Sequence, residues 1–586
     1  MKKISAFTLV LFCAAIFLSS CGKKSANAPP PLDYLYNTSE SHQAIGEYLQ
    51  SAFAAAGIQL TLSNQEWGTF LNTRKSGDYT LARNGWLADY SDPISFLDMW
   101  TSGSGNNDVG FGKGEHKNIS IYSLDLRDEG YDIFVDGGTW SETYDVLIRE
   151  IKSCADREKR FRLMHLAEDM IMDTGCIMPL YFYTDLYMKD KSLDGFYSSP
   201  LGIKFFRSTS YKGKNAISVS LASEPQSLDP ALSSTVDSGT MLSHLFSGLA
   251  RWDIDEKGNA AVVADAAVEL PLGTENEDGS ITYVFVLRDG LKWSDGKGLT
   301  ARDFEFAWKR AASASLGADY GYMFEIIKGY GKESENMQVF ALDDKRLSVT
   351  LEVDVPYFYE LLAFPTFFPL REDVVKNESW ATDASTFVSN GAYTMQVWEH
   401  NSLISLVKSN NFYDKDSVTM PKINFFLSDD GNNMLANFKN RDWQFIDNLP
   451  TNEISTLKST YGDEIFTVGQ IGTYYVSWNI NKNILPRSST LSGNEKEMAQ
   501  AEIRKAINMI PDRNYIAEEI GQAGQIPASS FVALGIKNPD GSEFSATAGG
   551  NEDFSGYFDT SREAYRENVL GAIDILKKYY ELDIPE

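Results

Sequence analysis

A chain of 586 residues with 43% hydrophobic and 13% aromatic content has core enough for two or three domains and is not a disordered polymer. Its 53 basic against 81 acidic residues leave a formal charge of −28, which argues against nucleic acid and anionic membrane surfaces as electrostatic partners. Four cysteines and five scattered histidines, with no Cys-x-x-Cys, argue against a disulfide scaffold and a metal site.

Residues 1–21 read as a targeting segment: Lys2-Lys3, an apolar run over 6–18 too short to span a bilayer, then Leu18-Ser19-Ser20-Cys21. Residues 22–31, ending on Pro29-Pro30-Pro31, read as a flexible tether with a stiff end. A strand is expected over 32–38. Ser39 should cap a helix whose inner face is Ile45, Tyr48, Leu49 and Phe53, and Gly57 should end it. A second strand over 58–62 and a short helix over 66–73 follow.

The next strand, over 79–85, leads to Trp86 and the acidic Asp89 before Asp92-Pro93 stops it and starts a short helix with Phe96 and Leu97 inward. Such a strand end can pair its backbone with an extended peptide and its carboxylate with an ammonium group. A buried strand with an N-capping Asp is the alternative. Residues 103–114 form a Gly/Asn-rich loop. A helical hairpin is expected over 141–153 and 157–173, with Cys154 at its turn and Cys176 past its second helix. That helix would hold the two about 25 Å apart, so both should be free thiols. Residues 177–183 read as a buried aromatic strand.

Around 203–214 the character changes, and the Lys- and Ser-bearing stretch 207–214 reads as a linker. A fresh strand is expected over 216–221, another over 474–479, and helices over 503–508 and 562–580. Ser455-Thr456-Leu457-Lys458 lacks the partners of a Ser-x-x-Lys catalytic set. The run from Asp253 to Gly258 resembles a calcium-loop start, but Ala264 stands where a bidentate Glu is required, so a turn is expected. No zinc-protease, nucleophile-elbow or phosphate-loop motif is present, so no catalytic residue is assigned and no enzyme is expected.

Several segments resemble the oligopeptide-binding family, the extracytoplasmic receptors of peptide-importing ABC transporters. They are Asn64-Gln65-Glu66-Trp67, Arg83 with Gly85-Trp86-Leu87-Ala88-Asp89-Tyr90, Glu224 to Pro230, Leu287 to Gly296 around Trp293, and Asn390-Gly391-Ala392-Tyr393. Gly298 stands where the family usually has proline. The resemblance implies a peptide held by main-chain pairing between Gly85, Trp86 and Leu87 on one side and Ser234, Thr235 and Val236 on the other. Asp89 would take the α-amino group. Arg74, Arg83 and His42 would face the carboxylate end. Trp67 and Tyr183 would line the pocket, with Asn448, Tyr320 and Tyr322 from the opposite lobe. The Leu18–Cys21 tetrapeptide resembles a lipobox, which makes Cys21 the acylated residue.

The similar segments occur in rotated order, as in a circular permutant: residues 32–206 resemble the family's last third and 215–586 its first two thirds. The expected fold class is α/β, a two-lobed periplasmic-binding-protein-like fold of the large peptide-binding subclass, with mixed sheets and flanking helices. One lobe would be 32–183 plus 479–586; the other 184–478 including the linker 207–214. The function so implied is a lipid-anchored, extracytoplasmic receptor, monomeric and without cofactor or metal. It would deliver short peptides to ABC permease subunits and touch the membrane only through Cys21. A receptor of the same fold for a dipeptide, nickel chelate, haem or oligosaccharide is the alternative, as is a surface receptor without a transport role.

Overall fold

A computed structural model describes residues 25–120, 138–254, 260–331 and 333–584. The signal, Cys21 and the first part of the tether lie outside the described residues, as does most of the run from Asp253 to Gly258. Among the described residues no helix is long and apolar enough to cross a membrane.

Eleven strands form one mixed sheet. Two of them are unusually long, Ile177–Lys189 and Ile465–Trp478, and they pair antiparallel at the centre. The first half of Ile177–Lys189 and the last half of Ile465–Trp478 belong with Leu81–Leu87, Leu32–Asn37 and Leu60–Gln65. The opposite halves lead towards Phe445–Ile446, Ile217–Leu221, Lys422–Leu427, Leu403–Lys408 and Tyr393–Glu399. The ladder between the two long strands breaks between Gly469 and Thr473, and there the neighbours change. The boundary expected at 478/479 instead coincides with the end of a strand that pairs Trp478 with Leu81. A separate four-stranded antiparallel sheet contains Ile281–Val286 and Arg346–Leu351.

Local chemistry accounts for most elements. The hairpin forms as Trp140–Ser153 and Arg157–Asp173, the first helix opened by a capping box between Thr139 and Glu142 and the second by the Asp156 side chain. Helix Glu40–Ala55 begins after Ser39, but the Ser39 hydroxyl bonds the Ser41 hydroxyl at 3.0 Å and caps no backbone amide. Gly57 takes φ 78° at the end of that helix, a conformation open to glycine. The second strand runs over Leu60–Gln65, two or three residues later than its apolar start suggests, because it follows Leu32–Asn37 in parallel register. The last helix spans only Tyr565–Leu576. Cys154 and Cys176 are both free thiols.

The stretch 207–214 is not a free linker. Tyr197–Ser198 pairs with Lys204–Phe205 and Leu193–Asp194 with Ser210–Tyr211, while Phe206, Thr209 and Tyr211 are buried. Its Lys and Ser residues suggest solvent exposure, but Tyr211 within it is buried, and Phe206 just before it packs on Phe196, His244, Phe425 and Phe445. Far from the junction, Asn27 donates to Glu581 Oε1 at 3.0 Å, and its carbonyl accepts the Glu581 amide, also at 3.0 Å.

One buried acid couples this core to pH. Glu168 accepts the amides of Phe531 and Val532 at 2.7 and 2.8 Å, and burial pushes its carboxyl up to about 8. A raised acid stabilises the fold fully below its unfolded value of 4.5 and loses that contribution as pH rises through about 8. Between pH 5 and 9 the protein should therefore lose on the order of 4 kcal/mol of stability through this group. Glu168→Gln should flatten that slope in denaturant titrations.

Candidate functional site

The strand Leu81–Leu87 has two neighbours at its start and one at its end. Leu81 and Ala82 pair with Tyr34 and Leu35, whereas the Ile465–Trp478 strand pairs along the whole length. From Arg83 to Leu87 one edge is therefore unpaired. An unpaired strand edge presents backbone donors and acceptors in a row, the template for an added strand.

At the far end of that edge lies Asp89, 7% exposed. Its amide donates to Ser95 Oγ at 2.8 Å, and the Ser95 carbonyl accepts Trp86 Nε1 at 2.7 Å, so one residue of the short helix Ile94–Leu97 fixes both. Asp92 holds the turn by accepting the Ile94 amide at 3.1 Å and both Arg160 guanidinium nitrogens at 2.8 Å. Asp89 itself has no cation within ion-pair reach among the described residues. Its Oδ2 is buried without a partner, and burial, then the nearby Asp98, push its carboxyl well above the usual range. The Tyr320 hydroxyl opposes that shift from across the cleft, where Trp86 and Tyr320 lie 6.3 Å apart, ring centre to ring centre.

Arg83 begins the unpaired edge and sits in a tyrosine box. Its Nη2 donates to the Tyr183 hydroxyl at 3.4 Å, and its guanidinium carbon lies 5.3 Å from the Tyr474 ring centre. Tyr181 stacks on Tyr474 at 4.8 Å, and Tyr34 is fully buried nearby. No carboxylate lies within ion-pair reach of Arg83 among the described residues, and its Nε is buried without a hydrogen bond. His42 Nδ1 meets the Tyr474 hydroxyl at 3.2 Å, and burial, then Arg83, hold its imidazole well below its ordinary value. His42 is therefore neutral at pH 7, a donor or acceptor and not a second cation.

Gly85 lies between these ends. A Cβ there would overlap the Tyr183 hydroxyl and stand 3.1 Å from its Cζ, so only glycine leaves the ring against the strand. Leu87 Cδ1 and Val236 Cγ1 converge on Gly202, 2.8 and 3.4 Å from where its Cβ would be, which brings the 234–236 segment opposite the strand end. Thr235 caps helix Val236–Leu245 by accepting the Ser238 amide at 3.3 Å. Trp67 stacks on Phe70 at 5.8 Å with its Nε1 buried and unpartnered.

Other expected residues are engaged elsewhere. Arg74 pairs with Asp108 at 2.6 Å and donates to Asn84 Oδ1 at 2.9 Å, which leaves its charge compensated. Asn448 donates to the Asp429 carbonyl at 3.0 Å. Residues not singled out from the sequence complete both ends: Tyr34, Tyr181 and Tyr474 around Arg83, and Asp98, Asn106, Lys152 and Glu325 near Asp89. Tyr34 was visible in the period-2 pattern with Tyr36. Tyr181 and Tyr474 lie in expected strands and Asp98 only nine residues beyond Asp89, but nothing local marks their roles, and Lys152 and Glu325 come from distant segments.

The sequence profile of bacterial extracellular solute-binding proteins, family 5 Middle, matches residues 18–108 and 261–561, about two thirds of the chain. The chain belongs to this family. Among curated relatives, the oligopeptide-binding protein OppA of Bacillus subtilis is 34% identical over 341 residues, covering 56% of this chain and 58% of that protein. The dipeptide-binding protein DppE of the same organism is 30% identical over 349 residues, covering 58% of this chain and 59% of that protein. The matches thus span less than two thirds of these relatives. The Escherichia coli murein tripeptide binding protein MppA is 24% identical with a TM-score of 0.52, over 62% of this chain and 66% of that one. This likeness concerns the fold, the two-lobed periplasmic-binding-protein architecture with mixed sheets and flanking helices.

Gly85→Ala should displace the Tyr183 ring and destabilise the protein by about 1–3 kcal/mol. Tyr183→Phe in the same chain should recover part of that loss, since the hydroxyl is the nearest atom met. Denaturant titration of the two single variants and the double variant checks both expectations.

Proposed function

We propose that this solute-binding protein captures short peptides with free termini and passes them to an ABC importer. One observation carries this reading: an unpaired strand edge ends at one side in a buried carboxylate without a cation and at the other in a guanidinium without an anion. A zwitterionic peptide in extended form would meet both charges and add a strand between them. In this reading Gly85, Trp86 and Leu87 offer backbone, Asp89 takes the ammonium, and Arg83 with His42 takes the carboxylate. Trp67, Tyr183, Ser234, Thr235 and Val236 line the sides. Arg74 and Asn448 act indirectly, through Asn84 and the Asp429 carbonyl. The names of the relatives, an oligopeptide- and a dipeptide-binding protein, support a peptide cargo.

The lobes proposed here meet where the central strands change neighbours, near 183/184 and near 469–472. The receptor is read as a monomer anchored outside the cytoplasmic membrane by a lipid on Cys21, from the Leu18–Cys21 motif. It is read as a receptor and not an enzyme, in line with relatives named for binding. Its rotated order is read as a circular permutation. The contact of Asn27 with Glu581 supports this, as does the folded junction over 204–211. A chain reopened within 207–214 and joined from Glu581 to Leu32 should bind the same ligands with the same affinity.

Calorimetry with tetra-alanine and its N-acetylated form tests the cargo. The free-amino peptide should bind, and acetylation should weaken it by a factor of ten or more, because the Asp89 carboxylate would then face a neutral amide. Equal affinity for the two would remove the ammonium contact. Binding of sugars or metal chelates alone would replace the peptide reading.

A further inference from the structure

Behind Asp89 the two lobes share a buried polar chamber. Asp98, Asn106 and Lys152 come from one side, and Tyr320, Tyr322 and Glu325 from the other. Lys152 lies in the last turn of Trp140–Ser153, with its side chain 7% exposed. Its Nζ stands 3.1 Å from Asp98 Oδ2 in its own lobe and 2.9 Å from Glu325 Oε2 in the opposite lobe, and 5.5 Å from the Tyr322 ring centre. Tyr90 also donates to Asp98 Oδ2 at 3.4 Å. Asp89 Oδ2, Asp98 Oδ1, Tyr322 OH and Asn106 Nδ2 are buried here without a hydrogen bond of good geometry, with Tyr320 near Asp89 and Asn106 near Tyr322. Around the chamber the lobes also touch through the Tyr90–Tyr357 stack at 4.3 Å and the Ser91 amide on Glu360 at 2.8 Å.

The charges in this chamber do not balance. Lys152 is one cation facing Asp98 and Glu325, which leaves Asp89 with no cation: when water is withdrawn it either stays charged at a cost or takes up a proton at a cost. Burying an unpaired charge costs several kcal/mol, whereas a buried pair with good geometry offsets much of its own desolvation. Closing the lobes brings Glu325 to Lys152, which favours closure, and takes water from Asp89, which opposes it.

We propose that Lys152 is a latch between the lobes whose engagement with Glu325 is held in check by Asp89 until a cationic group on the ligand neutralises that carboxylate. Lys152 is shared between Asp98 and Glu325, so the cluster already carries more acid than base, and Asp89 adds to that excess on closure. The proposal rests on the reading above only in naming the ligand's ammonium. It makes Lys152 and Glu325 positioning residues: neither contacts the ligand, and both set how much of its binding energy goes into closure.

The latch can be tested without any ligand. Hydrogen exchange of the amides in 319–326 and 89–98, followed by mass spectrometry on the purified full chain, reports the closed fraction. Asp89→Asn removes the opposing charge, and its ligand-free exchange there should be about tenfold slower than in the wild type. Adding Glu325→Gln or Lys152→Met to Asp89→Asn should restore fast exchange, and adding Lys152→Arg should leave it slow. The proposal is overturned if Asp89→Asn exchanges like the wild type, or if Glu325→Gln has no effect in that background. Glu325 is partly exposed, so its replacement leaves the core packing untouched. A parallel arm adds tetra-alanine to the wild type and to the Glu325→Gln variant, where about fivefold weaker binding is expected. Absence of tetra-alanine binding to the wild type counts against the peptide cargo and leaves the ligand-free result standing.

Discussion

A buried carboxylate without a counter-charge is the constraint on which the site depends. Asp89 is fixed by backbone geometry it does not control: its amide is bound to Ser95, and the turn beyond it is bound to Arg160 through Asp92. It cannot swing out to water, and its lobe offers Lys152 to Asp98 instead. An isolated buried charge is among the most costly features a protein keeps, and in the reading proposed it is the place kept for the ligand's ammonium group.

The architecture supplies the other half of that arrangement. The two long central strands pass through both lobes, with their ladder interrupted between Gly469 and Thr473. In the proposed closure, a bend in that interval would move the edge of Leu81–Leu87 relative to the 234–236 segment and the Tyr320–Glu325 stretch. Strand edge, tyrosine box and carboxylate all belong to one lobe and remain in register. The other lobe contributes the cover, through Tyr320, Val236 and Glu325. In the reading proposed, recognition and closure fall to different residues, so that one backbone-reading edge would serve many side chains.

The segments that most clearly mark the family are not the ones proposed to touch ligand. Trp293 is buried, Arg371 lies 5.9 Å from its ring centre, and Thr300 with Asp303 forms a capping box at the start of Ala301–Ala311. This block packs the second lobe, and packing residues tolerate few substitutions because interiors are close-packed. It therefore reports the fold and says little about cargo. The chain near Asp89 is shorter and less distinctive, yet it holds the chemistry.

The order of helices and strands was legible in the sequence. The hairpin helices, the turn at Gly57, the stop at Asp92-Pro93 and the central aromatic strand follow from local periodicity, capping and turn chemistry, which act between neighbours in the chain. Gly85 and Asp89 were legible too, as a strand end with a carboxylate. The pairing of charges was not. Arg74 is as basic as Arg83, but only the fold places Asp108 beside Arg74 and surrounds Arg83 with tyrosines from strands more than a hundred residues apart. The junction over 207–214 looked like solvent-exposed chain, and tertiary packing of Phe206 and Tyr211 made it part of the core. Residue types and their local spacing determined the elements and the candidates. Which charges are compensated is decided by contacts between distant segments, and only the tertiary structure sets those.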